Sequence, residues 1–274
     1  MSMAFEAQDL HFDYEGIAAL RGLSLGVEAG ERVVLLGANG SGKSTLLRVL
    51  NGLYFPKRGL LRFDGMPLTA DRLRDEQFAL SFRRRVALVF QNPDVQLFNP
   101  TVFDEVAYGP LQLQWERSEL VSRVEKTLEW MAIAHLRDRS PYRLSGGEKK
   151  RVALASVMIL DPDVLLLDEP TASLDPRSQS QVVDLIQQWR GSPKTVITAT
   201  HQVEIVESIA DKVFVLEAGA VVAAGTPTEI LSDRELLLRT NLIHVHRHSH
   251  DGVTHSHPHF HGHSHPGQKS EDDR

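Results

Sequence analysis

Alternating and continuous apolar runs divide the start of the chain into strands and a helix. Apolar residues recur at every second position in 10–14 and 23–27, with Glu15-Gly16 between them, which predicts antiparallel strands. The short run RVVLL at 32–36 lies between two glycines, as expected of a strand buried on both faces of a sheet. Helically spaced leucines follow at 43–50. The predicted order is therefore strand, glycine-rich loop and helix.

Further along the chain, helical and strand patterns alternate as in β-α-β units. The predicted helices cover 115–137, 149–160 and the segment from Asp175-Pro176 to Trp189, and the predicted strands cover 164–167, 195–198 and 213–216. Buried strands joined by helical crossovers imply a mostly parallel core sheet with helices on both faces. We therefore predict an α/β fold with an N-terminal antiparallel β subdomain and a helical subdomain inserted at about 92–160.

Composition and charge exclude several classes of protein. The 274 residues include 30 Lys and Arg against 36 Asp and Glu, a formal net charge of −6, so we expect no nucleic-acid partner. The absence of cysteine excludes disulfides, thiolate zinc sites and thiol catalysis. No segment resembles a signal peptide and no apolar run approaches 18 residues, so we expect the chain to stay in the compartment where it is made.

The distribution of histidine divides the chain into a folded domain at 1–242 and a disordered, His-rich flexible tail at 243–274. In the tail, histidines alternate with other residues, so neighbouring imidazoles of an extended chain project to the same side. Imidazole suits Ni²⁺, Co²⁺, Cu²⁺ and Zn²⁺, which makes the tail a candidate transition-metal site, with adventitious binding as the alternative. The candidate ligands are His244, His246, His248, His250, His255, His257, His259, His261, His263 and His265.

The segment GANGSGKS matches the phosphate-binding pattern G-x-x-x-x-G-K-[ST], directly after a predicted strand and before a predicted helix. Glycines let backbone N–H groups surround phosphates, Lys43 can reach the terminal phosphates, and the Ser44 hydroxyl can bind Mg²⁺. A chance glycine-rich turn is the alternative. The predicted nucleotide-binding residues are Gly37, Asn39, Gly40, Ser41, Gly42, Lys43, Ser44 and Thr45.

Two adjacent carboxylates, Asp168 and Glu169, end the apolar run at 164–167. Ligands of parallel sheets bind at this end of the strands. We expect Asp168 to hold the Mg²⁺ shell and Glu169 to orient and deprotonate an attacking water. An acidic turn without catalytic function is the alternative.

The segment LSGGE precedes the predicted helix at 149–160 and provides a second helix N-terminus able to hold a phosphate. Its candidate nucleotide-binding residues are Ser145, Gly146, Gly147 and Glu148. One nucleotide needs one phosphate loop, so the spare site predicts contact with the nucleotide of a second subunit in a two-fold homodimer. A simple helix cap is the alternative.

Five motifs follow one another along the chain: GANGSGKS, LSGGE, VLLLDE, SLD at 173–175 and an isolated His201. In this order they resemble the ATP-binding cassette family of ATPases, over about residues 4–230. The resemblance implies a P-loop cassette ATPase that binds ATP and Mg²⁺. It further implies that Gln91 touches Mg²⁺ and the attacking water, that Asp175 lies at the dimer seam and that His201 contacts the γ-phosphate. Tyr14 matches the aromatic that stacks on adenine, with strand packing as the alternative.

The segment after Gln91, NPDVQLFNPTVFDEVAYGPLQL, resembles the ATPases of energy-coupling factor importers, and its ending is similar to the cobalt and nickel branch. The resemblance implies ATP-driven import of Co²⁺ or Ni²⁺ from a peripheral position on the cytoplasmic face of the cell membrane. The implied partners are an integral membrane coupling subunit and a substrate-binding membrane subunit. We expect Val95, Leu97, Phe98 and Val102 to be exposed for contact with the coupling subunit.

Other classes of protein fit less well. A vitamin importer ATPase is the closest alternative. A metal-delivery GTPase would carry an N-K-x-D motif, which the sequence lacks. A DNA-repair cassette ATPase would place a long coiled coil between Ser44 and Ser145, where only about 100 residues lie, and a translation-factor relative would need two cassettes. The choice of metal, the direction of transport, the identity of the membrane partners and a paired paralogue instead of a homodimer stay open.

Overall fold

The computed structural model describes residues 2–250 and 253–259, with side chains described for 2–243. Its strands are β1 (Met3–Tyr14), β2 (Ile17–Glu28), β3 (Arg32–Leu36), β4 (Arg58–Phe63), β5 (Met66–Pro67), β6 (Val86–Val89), β7 (Val164–Asp168), β8 (Thr195–Thr200), β9 (Lys212–Glu217), β10 (Ala220–Gly225), β11 (His244–His250) and β12 (Val253–His259). Its α-helices are α1 (Lys43–Leu50), α2 (Glu76–Arg85), α3 (Val102–Gln112), α4 (Arg117–Trp130), α5 (Gly146–Met158), α6 (Pro176–Gln188), α7 (Val206–Ile209), α8 (Pro227–Ser232) and α9 (Arg234–Arg239).

A six-stranded sheet with the order β10-β9-β3-β8-β7-β6 forms the centre of the described residues. Its pairs are parallel except for the antiparallel edge pair of β10 and β9. Every residue of β3, β7 and β8 is buried, which explains why β3 and β7 contain the apolar runs seen in the sequence. The predicted mostly parallel core sheet is confirmed.

Alternate residues of β3 belong to different hydrophobic clusters. Val33 and Leu35 pack with α1 and with the antiparallel sheet β2-β1-β4-β5. Val34 and Leu36 pack on the opposite side with residues of α3 to α6. Since successive side chains of a strand point to opposite faces, one short strand joins the predicted N-terminal antiparallel subdomain to the helical part of the molecule.

Several helix boundaries differ from the sequence expectation. The helix predicted at 115–137 ends at Trp130, because Ala132 has a positive φ of 55° and the chain then continues into a short 3-10 turn at Ala134–Leu136. The helix predicted at 149–160 begins earlier, at Gly146, because the Ser145 side chain caps it. Helix α6 ends at Gln188, one residue before Trp189.

The antiparallel pair β11 and β12 lies in the segment for which the sequence predicted a flexible tail. The candidate ligands His261, His263 and His265 lie outside the described residues, so the disordered tail stays a prediction there. No helix within the described ranges combines the length and the apolar character that a membrane span requires.

Candidate functional site

The neighbouring strands β3, β8 and β7 bring three predicted motifs to one edge of the sheet. The phosphate loop follows β3, His201 follows β8, and Asp168 and Glu169 lie where β7 ends. The phosphate loop and Glu169, together with Gln91 and residues of β1 and β2, surround a cleft of about 460 Å³. Its lining residues are Tyr14, Ile17, Ala18, Ala19, Asn39, Gly40, Ser41, Gly42, Lys43, Ser44, Thr45, Gln91 and Glu169.

The N-terminus of α1, which follows the phosphate loop, is not capped by a side chain. Gly42, the N-cap residue of α1, has a left-handed φ of 104°, and a Cβ at this position would lie 2.8 Å from the carbonyl oxygen of Ala19. The first turn of α1 has no capping side chain and no acidic residue. Its unpaired N–H groups and its positive end of the helix dipole therefore suit the phosphates of a nucleotide.

Lys43 lies over the loop that it follows. Its ammonium is buried, donates hydrogen bonds to the carbonyl oxygens of Gly37 (2.7 Å) and Ala38 (3.1 Å), and lies 3.6 Å from a carboxylate oxygen of Glu169. Burial lowers the pKa of Lys43, and the charges of Glu169 and Asp168 oppose that shift. The cation is therefore held beside the phosphate loop by the carboxylates at the end of β7.

Ser44 and Asp168 form the pair of oxygens expected of a Mg²⁺ site. The Ser44 hydroxyl donates a hydrogen bond of 2.8 Å to Oδ1 of Asp168. Burial raises the pKa of Asp168, and the hydrogen bond from Ser44 opposes this shift. A hydroxyl and a carboxylate at the mouth of a phosphate loop are hard oxygen ligands, so these residues fit a Mg²⁺ ion bound with nucleotide phosphates.

Glu169 is held in place by neighbours from β8. Its side chain is buried, its backbone φ is +45°, and its amide donates a hydrogen bond of 2.9 Å to the carbonyl oxygen of Ala199. The Thr200 hydroxyl donates to one carboxylate oxygen at 3.3 Å, and Nδ1 of His201 lies 2.9 Å from the other. A fixed carboxylate facing the cleft has the geometry of a general base for water.

Gln91 and Tyr14 lie at the rim of the same cleft. Gln91 is exposed and follows β6 by two residues. The Tyr14 hydroxyl lies 3.2 Å from Oγ1 of Thr45, and its ring packs edge-on against Phe12 and Tyr54. Tyr14 therefore packs against other aromatic side chains, as a strand residue would, and also lies beside the phosphate loop.

The LSGGE segment faces a different cleft. Ser145 and Glu148 form a reciprocal capping box, in which the Ser145 amide and hydroxyl donate to the Glu148 carboxylate at 2.7 and 2.8 Å. These hydrogen bonds lower the pKa of Glu148. Gly146 lines a cleft of about 270 Å³ with Gln91, Asn92, Pro93, Lys150, Ala172, Ser173 and Leu174. Of the residues that line the two clefts, only Gln91 belongs to both.

Asp175 lies beside this second cleft, at the start of α6. Its carboxylate accepts hydrogen bonds from the amide (3.1 Å) and hydroxyl (2.6 Å) of Ser178, which lower the pKa of Asp175. A Cβ on Gly147 would lie 2.9 Å from the Ser178 hydroxyl, so the LSGGE segment and the start of α6 lie close together. The structure thus groups the LSGGE segment with Asp175, apart from the phosphate loop.

Sequence reasoning missed Lys150, which joins α5 to the segment that begins at Gln91. Its ammonium is buried and donates hydrogen bonds of 3.0 Å to the carbonyl oxygens of Phe90 and Gln91. Burial lowers the pKa of Lys150 to about 8, while Asp168 and Glu169 oppose the shift. A lysine on a helix normally reaches solvent, so the sequence carries no signal of this buried contact.

Glu105 is a second residue that sequence reasoning missed. It is buried, and its carboxylate accepts hydrogen bonds from the amides of Phe98 (2.9 Å) and Asn99 (2.8 Å). This anchor fixes the loop between Gln91 and α3, and it helps to decide which apolar residues of the loop are exposed.

The expectation that four apolar residues of this loop are exposed is wrong for two of them. Val95 and Phe98 are 68% and 57% exposed. Leu97 and Val102 are buried in the hydrophobic cluster of the helical subdomain, because the chain folds back onto α3 and α5. Exposed Tyr108 and Leu111 of α3 add to the apolar surface, and the Phe98 and Tyr108 rings lie 4.9 Å apart.

Comparison with known proteins finds a matching family and several similar relatives. Residues 20–172 match the family described as ABC transporter. The nickel import ATP-binding protein NikO of Rhodobacter capsulatus is 52% identical over 246 residues, which cover 89% of this chain and 97% of that protein. The energy-coupling factor transporter ATP-binding protein EcfA of Methanothermobacter thermautotrophicus is 43% identical over 86% of this chain and 75% of that protein.

A solved structure is also similar. It is that of cbiO1 from Clostridium perfringens, described as part of the ABC transporter complex cbiONQ. The two chains superpose with a TM-score of 0.74 at 36% identity, over 88% of this chain and 96% of the other.

The substitution Glu169→Gln is expected to keep nucleotide binding and to lower ATP turnover about 10²- to 10⁴-fold, because an amide cannot accept a proton from water. The measurement is phosphate release at saturating MgATP together with the nucleotide Kd. Glu235→Gln, an exposed change of the same kind on α9, is the matched control. Turnover within threefold of the wild type would remove Glu169 from this role.

The substitution Lys43→Ala is expected to weaken MgATP binding about 10- to 100-fold, because it removes a charge-assisted hydrogen-bond donor to phosphate. Equilibrium binding of a fluorescent ATP analogue measures the effect. Lys126→Ala, on the exposed side of α4, is the control. An unchanged Kd in the Lys43 variant would contradict phosphate contact.

The substitution Lys150→Met is expected to cost about 2 kcal/mol of folding free energy, because the carbonyl oxygens of Phe90 and Gln91 lose their donor. The shift of the denaturant midpoint, followed by circular dichroism, measures this. Lys126→Met is the matched control, because Lys126 is exposed. Equal midpoints for the two variants would show that the contact contributes nothing.

Proposed function

Since this chain belongs to the ABC transporter family and is an ATP-hydrolysing transporter subunit that uses ATP and Mg²⁺, we propose that it energises import of Ni²⁺ or Co²⁺ through an energy-coupling factor complex. The observation that carries this proposal is the 52% identity with a nickel import ATP-binding protein across 97% of that protein. The segment after Gln91 and the histidines after Leu242 favour the same substrate class.

In the proposed reaction, the phosphate loop and Lys43 bind the ATP phosphates, and Ser44, Asp168 and Gln91 would hold Mg²⁺. The bound Mg²⁺ would neutralise charge that develops on the phosphates. Glu169 accepts a proton from the attacking water, and His201, which is 2.9 Å from Glu169 and partly exposed, contacts the γ-phosphate. Tyr14 provides the aromatic face for the adenine base.

The separation of the two clefts supports a homodimer. The LSGGE segment and Asp175 lie beside a cleft that contains no phosphate-loop residue. A second subunit, related by a two-fold axis, would place its phosphate loop against this segment, so each nucleotide would contact both subunits. Nucleotide-driven closure of the dimer would then move the membrane subunits.

The exposed apolar surface at the loop after Gln91 supports contact with an integral membrane coupling subunit. Val95, Phe98, Tyr108 and Leu111 are all more than one-third exposed. Buried Glu105 holds the backbone beneath this surface, and Lys150 ties the same loop to α5. We place the chain at the cytoplasmic face of the membrane, in a complex that also contains a substrate-binding membrane subunit.

The His-rich tail is the proposed metal-binding part of the chain, because imidazole nitrogens are good ligands for Ni²⁺ and Co²⁺. Within residues 2–243 no group of three or more His, Asp or Glu side chains is placed to hold a metal ion. A metal-binding role of this chain therefore rests on the segment after residue 243. A vitamin importer ATPase is the second candidate function, and the tail argues against it.

Uptake of labelled Ni²⁺ and Co²⁺ by cells that carry the complete transporter is expected to fall at least tenfold when Glu169→Gln replaces the wild type at matched expression, because import depends on ATP hydrolysis. Glu235→Gln is the control. The ratio of the two uptake rates identifies the preferred ion. Equal metal uptake in both variants would contradict the proposed substrate, and uptake of labelled vitamins would then be tested.

A further inference from the structure

Two side chains hold the backbone at the point where β6 ends. The strand β6 is the last in the order of the six-stranded sheet, and Phe90 follows it directly. The amide of Phe90 donates a hydrogen bond of 3.3 Å to Oε1 of Gln96. The carbonyl oxygens of Phe90 and Gln91 each accept a hydrogen bond of 3.0 Å from Nζ of Lys150. The peptide units on both sides of Gln91 are therefore bound by one ammonium group.

Both side chains connect this backbone to α5. Lys150 belongs to α5, the helix that begins within the LSGGE segment. Nε2 of Gln96 donates hydrogen bonds to the carbonyl oxygen of Ala153 (2.8 Å) and to the hydroxyl of Ser156 (3.1 Å), which also lie on α5. The backbone that carries Gln91 is thus bonded to a helix of the helical subdomain as well as being covalently continuous with the sheet.

The burial of Lys150 makes its contacts with the backbone strong. Only 2% of the residue is exposed. A buried ammonium needs hydrogen-bond acceptors in place of water, and a charged donor forms stronger hydrogen bonds than a neutral one. Because its two acceptors belong to consecutive peptide units, Lys150 fixes the direction of the chain at Gln91 as well as its position.

Gln91 depends on its backbone for its position. Its side chain is exposed, and it borders both the phosphate-loop cleft and the cleft beside Gly146. An exposed side chain has few neighbours to restrict it, so the backbone decides which groups it reaches. In enzymes, a displacement of about 1 Å in a reacting arrangement can cost roughly 10²-fold in rate. A contact that fixes this backbone is therefore able to control the rate of hydrolysis.

We propose that Lys150, assisted by Gln96, is a positioning residue that aligns Gln91 with the nucleotide from α5, through the backbone and without touching the substrate. The inference rests on the proposed function, in which Gln91 would hold Mg²⁺. It adds to that function a residue outside the catalytic motifs. It also makes the helix that begins within the LSGGE segment responsible for the alignment of Gln91.

Steady-state hydrolysis of MgATP by the full-length chain tests this role. Lys150→Met is expected to lower kcat at least tenfold and to change KM less than threefold, because Lys43 and the phosphate loop keep their own contacts. The nucleotide Kd, measured on the same samples, gives the fraction of folded sites. A wild-type kcat in Lys150→Met would overturn the proposal.

The matched control is Lys149→Met. Lys149 is the neighbouring lysine on α5 and also contacts the loop after Gln91, but it does so through the carboxylate of Asp94, at 2.6 Å. Its kcat is expected to stay within threefold of the wild type. Equal losses in the two variants would overturn the positioning role, because any contact between α5 and this loop would then have the same effect.

A double-mutant cycle with Gln91→Ala separates positioning from a direct effect of charge. The charges of Asp168 and Glu169 act on Lys150, so loss of the ammonium also changes the surroundings of these carboxylates. If Lys150 acts through Gln91, Lys150→Met is expected to lower kcat less than threefold further in the Gln91→Ala background. A second tenfold loss in that background would overturn the proposal.

Backbone dynamics of the chain without nucleotide and without Mg²⁺ provide a readout that does not involve activity. Lys150 binds the peptide units that contain the amides of Gln91 and Asn92. The NMR order parameters of these amides are expected to fall from about 0.85, typical of a rigid backbone, to below about 0.6 in Lys150→Met. Lys149→Met is expected to keep the rigid values. Rigid values in Lys150→Met would contradict the positioning role.

Gln96→Leu is a second variant, because Lys150→Met is also expected to lower the stability of the fold. It removes the acceptor of the Phe90 amide and leaves Lys150 in place. Its kcat is expected to fall at least threefold with KM unchanged within threefold. If Lys150→Met does not fold, a wild-type kcat together with rigid order parameters in Gln96→Leu would overturn the proposal.

Failure of this inference is distinguishable from failure of the proposed function. A wild-type kcat in Gln91→Ala would overturn the role of Gln91 and, with it, the positioning role of Lys150. Loss of kcat in Gln91→Ala together with a wild-type kcat in Lys150→Met would overturn the positioning role alone. The metal-uptake test uses Glu169→Gln, so its outcome does not depend on either result.

Discussion

Lys43, Asp168 and Glu169 are buried together at one edge of the six-stranded sheet, and each has at most 5% of its surface exposed. A buried charge is costly unless an opposite charge or a hydrogen bond compensates it. Lys43 lies 3.6 Å from Glu169, and Asp168 accepts a hydrogen bond from Ser44. These contacts require that β3 and β7 end at the same level with β8 between them, which is the strand order of the sheet. The strand order therefore positions the catalytic groups and, at the same time, brings together the contacts that compensate their buried charges.

The phosphate loop and the LSGGE segment precede two unlike helix N-termini of the same chain. The phosphate loop follows the central strand, whereas the LSGGE segment begins a helix of the inserted helical subdomain. The first helix N-terminus has no capping side chain, and the second is capped by its own Ser145 and Glu148. A bare N-terminus with a lysine suits the triphosphate itself, while a capped N-terminus with two small glycines suits close approach of another surface. Lys150 links α5, the helix that follows Ser145, to Gln91, the residue that borders both clefts.

The surface that follows Gln91 shows how burial separates structural from exposed apolar residues within one loop. Leu97 and Val102 fill the hydrophobic core of the helical subdomain, while Val95 and Phe98 remain exposed. Glu105 makes this division possible, because its buried carboxylate satisfies two backbone amides that the loop would otherwise bury without partners. An exposed apolar surface on a rigid backbone is suited to transmit movement to a partner, since the loop cannot absorb that movement by refolding.

The sequence by itself determined the fold class and the identity of the main motifs. Continuous apolar runs identified β3 and β7, because strands buried on both faces have no polar side chains to alternate, and the glycine pattern identified the phosphate loop. The periodicity also gave the extent of α1 correctly. Only the tertiary structure decided the burial of Lys150, Glu105, Leu97 and Val102, because burial depends on which distant segments pack against a residue.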